Sequence, residues 1–81
     1  MTNEEIRSIV FQTLKTIAPE LEESDLKPDR PLRDQVDLDS MDWLNFLVGL
    51  HQKLQVEIPE SDYRKLTSVN TLIAYLAAKG V

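Results

Sequence analysis

Apolar residues recur three or four positions apart in three segments of this chain, and this spacing is typical of amphipathic helices. The three segments are 2–17, 39–54 and 68–79, and a single further turn of helix is predicted at 60–65. No segment alternates apolar and polar residues as a half-buried strand does. The pattern therefore predicts an all-α fold: a small antiparallel four-helix bundle of three main helices and one short helix, with a long first loop.

The ends of the predicted helices carry capping signals. Thr2 and Glu5 have the spacing of a capping box, in which each side chain satisfies a free backbone N–H group. Pro19 makes continuation of the first helix unfavourable. Ser68 is a favoured N-cap for the last helix, and Gly80 suits the position just beyond its end.

The second helix is the most apolar of the three and is expected to be central. Its main apolar stripe is predicted to hold Met41, Leu44, Leu47 or Val48, and His51, and to be widened by Trp43, Phe46, Leu50 and Leu54. Gly49 inside this helix costs up to ~1 kcal/mol relative to alanine. Its presence predicts a close helix crossing at that point.

Residues 19–38 are predicted to form a long connection without regular structure. Three prolines interrupt it, while three leucines are spaced as anchors onto a core: Pro19, Pro28, Pro31, Leu21, Leu26 and Leu32. Residues 20–39 hold eight acidic and three basic residues, so this segment carries the whole net charge of −5. Structureless connections of this length are uncommon in compact domains and are often functional.

The length and composition exclude several classes of protein. A chain of 81 residues forms one domain, 1–81, that buries only roughly 60% of its unfolded surface, which is too small for two lobes and a deep cleft. Because there is no cysteine, a disulfide scaffold, a thiolate metal site and a cysteine nucleophile are excluded. With His51 as the only histidine, we expect no metal site and no catalytic residues.

The charge and the termini bear on location and partners. An acidic chain is a poor candidate for binding nucleic acid, which requires stripes of lysine and arginine. No basic segment followed by an apolar run marks a signal peptide, and no apolar stretch approaches the ~18 residues of a membrane span. We therefore expect a cytoplasmic protein, a monomer, with no nucleic-acid or membrane partner.

Ser40 is the main candidate for a functional residue, and two interpretations of it stay open. Asp39 or Ser40 can cap the N-terminus of the second helix, and a capping role alone would explain a serine at this position. Alternatively, it is the attachment point of a phosphodiester, which the free N–H groups of the helix N-terminus would stabilise. The acidic neighbours Asp39 and Asp42 would repel a phosphate, so they fit better as contacts for another protein. His51 lies ~16 Å along the helix, so another enzyme must supply any base.

These residues resemble the acyl carrier proteins. The family's Asp-Ser-Leu motif after a long loop stands here as Asp39-Ser40-Met41, with apolar residues at the family's spacing around it: Leu38, Leu44, Leu47 and Leu50. Val56-Glu57-Ile58-Pro59-Glu60 is similar to the family's turn after the second helix, and Thr67-Ser68-Val69 to the start of its last helix. The similarity spans about residues 4–79.

The resemblance implies a covalent cofactor and no catalysis. A phosphopantetheinyl transferase would move 4′-phosphopantetheine from coenzyme A onto Ser40, beside Asp39 and Met41. The thiol of that arm would then carry acyl groups as thioesters between enzymes of fatty acid or specialised acyl or polyketide biosynthesis. The acyl chain would be sheltered between core residues that move slightly apart: Ile9, Val10, Leu44, Leu47, Ile58, Leu72 and Leu76.

Two departures from the family affect partner recognition. Asp37 stands where the family has a glycine, and the second helix balances one acid, Asp42, against one base, Lys53. The resemblance still implies partner enzymes with basic patches that load and transfer acyl groups. Their expected contacts are Asp37, Asp42, Trp43, Glu57 and Glu60. Trp43 has two interpretations, a partly buried packing residue or a neighbour of the arm.

Three alternatives to the fatty acid or polyketide carrier stay open. The first is a carrier of an amino acid or aryl acid that a dedicated synthetase loads. The second is an unmodified docking module of the same fold. The third is a small enzyme that uses Ser40 or the aspartates, against which the distant histidine and the absence of a glycine-rich phosphate loop argue. Tyr63 and Tyr75 are expected to pack with their hydroxyls in water.

Overall fold

Helices alone make up the regular structure of the computed structural model, which describes residues 1–81. The α-helices are α1 (Asn3–Ile17), α2 (Leu32–Gln35), α3 (Ser40–Leu54) and α4 (Val69–Ala78), and short 3-10 helices form at Glu23–Asp25 and Glu60–Lys65. The prediction of an all-α bundle with three main helices is confirmed, as is the short helix at 60–65. None of the helices has both the length and the apolar character that crossing a bilayer requires.

The predicted caps are present at both ends of the chain. Glu5 N–H donates to Thr2 Oγ1 at 3.2 Å, and Thr2 N–H donates to Glu5 Oε1 at 2.9 Å, which completes a capping box. The Thr2 backbone and side-chain hydrogen bonds hold the pKa of Glu5 below its usual 4.5. Ser68 caps α4, and Gly80 adopts a left-handed φ of 82°.

The core is assembled around α1 rather than α3. α1 packs against both α3 and α4, and these are the two most extensive helix–helix contacts. The buried apolar side chains of the three helices are Ile6, Val10, Leu14, Phe46, Leu47, Leu50, Leu54, Val69, Leu72 and Leu76. The prediction that the apolar second helix is central was therefore wrong, because part of its apolar surface is not used for packing.

α1 and α3 approach each other closely at Gly49. A Cβ atom added to Gly49 would lie 2.9 Å from Thr13 Cγ2, which is shorter than van der Waals contact allows. Thr13 is buried, and its hydroxyl donates to the Ile9 carbonyl at 2.7 Å. The predicted close crossing at Gly49 is confirmed, and it explains a glycine inside a helix.

The long connection is more ordered than the sequence predicts. It contains the 3-10 turn Glu23–Asp25 and the single-turn helix α2. The Gln35 side chain bonds both backbone groups of Lys27, at 2.6 and 2.8 Å, and the Arg30 carbonyl at 3.0 Å. Leu32 is fully buried, and its N–H donates to the Thr67 carbonyl at 2.7 Å.

The three predicted leucine anchors do contact the core. Leu32 is part of it, while Leu21 and Leu26 are half-buried against it. Val36 and Leu38 add two further buried anchors just before α3. The connection is therefore packed against the core along its length. This packing fixes the position of residues 39–42, which follow it.

Candidate functional site

The first turn of α3 separates the capping residue from the serine that follows it. Asp39 has extended backbone angles, φ −79° and ψ 180°, and its Oδ1 accepts a hydrogen bond from Asp42 N–H at 2.7 Å. Asp39 is therefore the N-cap, and Ser40 is the first residue inside the helix. The interpretation of Ser40 as the cap is wrong, because Asp39 performs that role.

The Ser40 hydroxyl is consequently available for other chemistry. Ser40 is solvent-exposed, and the cap of α3 does not use its side chain. Leu38, two positions earlier, is buried with only 6% of its surface exposed. A buried anchor on one side and a capped helix on the other fix the backbone of Ser40, while its side chain points away from the core.

The only histidine of the chain does not activate this hydroxyl. His51 lies on the same helix, eleven residues on, which is ~16 Å along the axis. Its Nδ1 is hydrogen-bonded to the Val56 carbonyl, so this nitrogen carries the proton and helps to close the end of α3. His51 is therefore too far from Ser40 to take its proton.

An exposed apolar row runs along α3 from the residue next to Ser40. Met41, Leu44 and Val48 are 65%, 40% and 39% exposed, and they follow one another at the spacing of one helix face. The spacing of apolar residues predicts Met41, Leu44 and either Leu47 or Val48 on the main apolar stripe of this helix. Of that predicted stripe only Leu47 is buried, and it packs into the core together with the residues predicted to widen the stripe: Trp43, Phe46, Leu50 and Leu54.

The predicted docking residues fall into two groups. Asp37, Asp42 and Trp43 surround Ser40 at the start of α3, whereas Glu57 and Glu60 lie beyond its other end. Asp37, Glu57 and Glu60 are exposed, and Asp42 is half-buried. The two groups are separate along the chain, but Trp43 shares a cleft with Tyr63 and Arg64 of the 3-10 helix that begins at Glu60.

Trp43 packs partly into the protein. It is half-buried against the core, and its ring centroid lies 5.2 Å from that of Phe46 at an interplanar angle of 38°. The interpretation of Trp43 as a partly buried packing residue is confirmed. Its remaining surface faces a cleft that the sequence did not predict and that Arg33 and Arg64 also line.

The 3-10 helix Glu60–Lys65 is tied to α4 by a polar contact. The Tyr75 hydroxyl donates to Asp62 Oδ2 at 2.6 Å, and Lys65 Nζ lies 3.4 Å from Asp62 Oδ1. The Tyr75 bond holds the pKa of Asp62 below its usual 3.8, and burial followed by the Asp62 bond raises the pKa of Tyr75 to about 12. The sequence did not predict this bond from the Tyr75 hydroxyl to a side chain.

Comparison with known proteins identifies the family. A family model described as "Phosphopantetheine attachment site" matches residues 4–76, nearly the whole chain. The chain belongs to this phosphopantetheine-attachment family. Members of the family carry acyl groups on a covalent 4′-phosphopantetheine, so the resemblance to acyl carrier proteins and the cofactor prediction are confirmed.

Relatives of similar length are acyl carrier proteins. One from Helicobacter hepaticus is 27% identical over 77 residues, which cover 95% of each chain. Another from Campylobacter hominis is 30% identical over 73 residues, 90% of this chain and 86% of that one. An acyl carrier protein structure from Enterococcus faecalis superposes with a TM-score of 0.74 at 22% identity, covering 98% of this chain and 99% of that chain, which supports the fold.

The start of α3 fits the family's cofactor. Attachment needs an exposed hydroxyl with no structural role, and Ser40 meets both conditions. The backbone N–H groups of the first helical turn are donors for a phosphodiester oxygen. The carboxylate of the neighbouring Asp39 accepts a hydrogen bond from the Asp42 backbone N–H.

Proposed function

We propose that Ser40 is the attachment point of 4′-phosphopantetheine, and that residues 1–81 form one acyl-carrier-type domain that shuttles acyl groups as thioesters on this arm. The observation that carries the proposal is the division of roles at the start of α3. Asp39 caps the helix, and the next residue is an exposed serine whose hydroxyl has no structural task. A modification there costs the fold nothing.

The attachment chemistry needs a partner enzyme. Ser40 Oγ forms a bond to the pantetheine-side phosphorus of coenzyme A, and the pyrophosphate bond breaks. The electron pair of that bond leaves with adenosine 3′,5′-bisphosphate, and the hydroxyl proton passes to a base. This base belongs to the phosphopantetheinyl transferase, because His51 is bonded to Val56 far along α3. The chain is thus a substrate of the transferase and a carrier, with no catalytic role of its own.

The core supplies shelter for an acyl chain. Val10, Leu47, Leu72 and Leu76 are buried at 1% exposure or less, and each methylene buried among them is worth roughly 0.8 kcal/mol. Two half-buried residues, Ile9 and Ile58, lie at the edge of this group. Leu44 is exposed and takes no part in the shelter.

Partner enzymes dock through both the acidic residues and the exposed apolar surface of the protein. Asp37, Asp42, Glu57 and Glu60 provide contacts for basic patches of enzymes that load and transfer acyl groups, with Trp43 beside them. Exposed ion pairs contribute ~1 kcal/mol or less each, so these acids act mainly in steering and orientation. The exposed row Met41, Leu44 and Val48 supplies apolar contact area next to Ser40.

The cargo belongs to fatty acid biosynthesis or to a specialised acyl or polyketide pathway. The balanced charge of α3, one acid against one lysine, favours a specialised carrier with dedicated partners. A carrier of an aryl acid or amino acid is the alternative within the same chemistry. The group found on the arm after isolation from the native cell distinguishes them.

Intact mass spectrometry tests the attachment. The purified chain is incubated with coenzyme A, Mg²⁺ and a broad-specificity phosphopantetheinyl transferase. The wild type gains the mass of one 4′-phosphopantetheine, Ser40→Ala gains none, and Ser24→Ala, an exposed serine of the long connection, gains it fully. An unchanged wild-type mass, or a gain that persists in Ser40→Ala, overturns the proposal.

A further inference from the structure

A cleft of about 210 Å³ opens beside the start of α3, on the side where Trp43 lies. One wall comes from the α2 region through Arg33, and the other from the 3-10 helix Glu60–Lys65 through Tyr63 and Arg64. Pro31, Leu66 and Thr67 complete the lining. The hydrogen bond from Leu32 N–H to the Thr67 carbonyl, at 2.7 Å, holds the two walls together.

The charge of this cleft is opposite to that of the molecule. The chain carries a net charge of −5, yet two arginines and no acidic residue line the cleft. Neither arginine forms an ion pair, since the ion pairs of the structure join Arg7 to Glu23 and Lys65 to Asp62.

The nearby acids form no ion pair with the two arginines. The Asp62 carboxylate is bonded to Tyr75 and paired with Lys65. Glu60 lines a neighbouring cleft that also borders Arg64. Arg33 and Arg64 therefore present free guanidinium groups, which bind a carboxylate through paired hydrogen bonds.

The remaining lining is flat and apolar. Trp43 and Tyr63 are half-buried, so one part of each ring is fixed in the core and the other part faces outward. Leu66 is 1% exposed and closes the floor. Because binding pockets for larger ligands usually measure ~300–1,000 Å³, this volume suits a small, flat group rather than a long alkyl chain.

The cleft lies within reach of a group attached to Ser40. Trp43 follows Ser40 by three positions, ~4.5 Å along the helix axis. The acyl group is carried at the end of a flexible arm, and a short flexible tether gives an effective concentration of about millimolar, which favours occupancy of a weak site. Tethering therefore turns a shallow cleft with two free arginines into a usable binding site.

We propose that this cleft receives a small acyl group that carries a free carboxylate while the group is attached to the arm on Ser40. Arg33 and Arg64 pair with the carboxylate, and Trp43 and Tyr63 pack against the flat body of the acyl group. The inference rests on the proposed attachment at Ser40 and names the class of cargo: a carboxylate-bearing, preferably planar, acyl group.

Trp43 is the only tryptophan of the chain, so its fluorescence and its indole N–H resonance report on this cleft alone. A broad-specificity transferase loads three forms: the bare thiol arm, a 4-carboxybenzoyl arm, and a 4-methylbenzoyl arm of the same shape without the charge. Intact mass confirms loading of each form before any spectrum is recorded. Failure of loading contradicts the attachment at Ser40 and is thus distinguished from failure at the cleft.

The 4-carboxybenzoyl form is expected to shift the Trp43 signals at least twofold more than the 4-methylbenzoyl form. Arg33→Gln and Arg64→Gln each reduce that excess by half or more, whereas Arg7→Gln, on α1 and outside the cleft, leaves it unchanged. Equal shifts from both acyl groups, or an excess insensitive to the two arginines, overturn the proposal. If the bare thiol arm already gives the full arginine-dependent shift of the Trp43 signals, the two arginines bind the phosphate of the arm and not a carboxylate of the acyl group. That result also overturns the proposal.

Discussion

The carboxylate of Asp39 accepts a hydrogen bond from the Asp42 backbone N–H at 2.7 Å, and this contact spans Ser40 and Met41. Aspartate and serine are equally good N-caps, so either one could have started α3. Because Asp39 holds the cap, Ser40 occupies the first helical position with its side chain unused. The Asp-Ser pair thus combines a structural residue with a chemical one.

Substitutions at these two positions are expected to separate structure from modification. Asp39→Ala lowers the free energy of unfolding by about 1 kcal/mol, while Asp39→Asn, which also caps, changes it by only a few tenths. Ser40→Ala changes it by about 0.5 kcal/mol or less. Urea unfolding followed by circular dichroism measures all three. A Ser40→Ala loss as large as that of Asp39→Ala would show that the serine hydroxyl contributes to the cap.

Gly49→Ala is expected to destabilise the protein despite the better helix propensity of alanine. The substitution gains up to ~1 kcal/mol in propensity, but the added Cβ lies 2.9 Å from Thr13 Cγ2. Overpacking of this kind costs ~1–3 kcal/mol. Thr13 cannot easily turn away, because its hydroxyl is bonded to the Ile9 carbonyl.

Thr13→Ser supplies the matched background for this test. It removes the clashing methyl group and keeps the hydroxyl, so Gly49→Ala made in Thr13→Ser is expected to be neutral or stabilising. A double-mutant cycle from thermal unfolding gives the coupling between the two sites. If Gly49→Ala has the same effect in both backgrounds, the crossing is not where the structure has it.

Leu44 and Leu47 are three positions apart on α3, and their truncation is expected to differ in cost. Leu47→Ala opens a cavity in a fully packed site and costs ~2–5 kcal/mol, since Leu47 is 1% exposed. Leu44→Ala removes a side chain that is 40% exposed and costs about 1 kcal/mol or less. Urea midpoints of the two variants measure the difference, and equal losses would place Leu44 in the core after all.

The Tyr75–Asp62 contact is expected to make stability depend on pH at both extremes. The pKa of Asp62 is lowered by the Tyr75 bond, so this contribution is present above its ordinary pKa of 3.8 and is lost as pH falls through the lower folded-state value. The pKa of Tyr75 is raised to about 12, so that contribution is present below 10.0 and is lost as pH rises through about 12.

Tyr75→Phe removes both contributions and keeps the ring. The stability difference between wild type and Tyr75→Phe is expected to be constant between about pH 5 and 9 and to shrink on either side. Denaturant unfolding across this pH range measures it. Tyr63→Phe leaves the Tyr75–Asp62 bond in place and serves as the control. A difference that is flat down to pH 2 would contradict the contact.

The sequence predicts the helices and their caps well, because these depend on local chemistry. The Thr2–Glu5 box, the Ser68 cap and the left-handed Gly80 each follow from a few neighbouring residues. The attachment motif is local too. Gly49 predicted a tertiary contact, because a glycine inside a helix is unfavourable unless another helix lies close to it. Its partner Thr13 was not predictable, because sequence spacing does not say which residue of another helix lies opposite.

The parts that escaped prediction depend on tertiary arrangement. α3 carries two adjacent apolar stripes, and periodicity alone does not say which of them meets α1, so Met41 and Leu44 were wrongly placed in the core. α2 is a single turn, too short to show a helical period. Arg33 and Arg64 are 31 positions apart in the sequence, and only the fold brings them to one cleft.

The most direct test of the central claim is the intact mass of the chain recovered from its own cells, followed by fragmentation of the peptide that contains Ser40. The account predicts a population heavier by 4′-phosphopantetheine, with or without an acyl group, and fragment ions that locate the added mass on Ser40. Protein that always has the mass of the bare polypeptide, or an arm located on another residue, would contradict it.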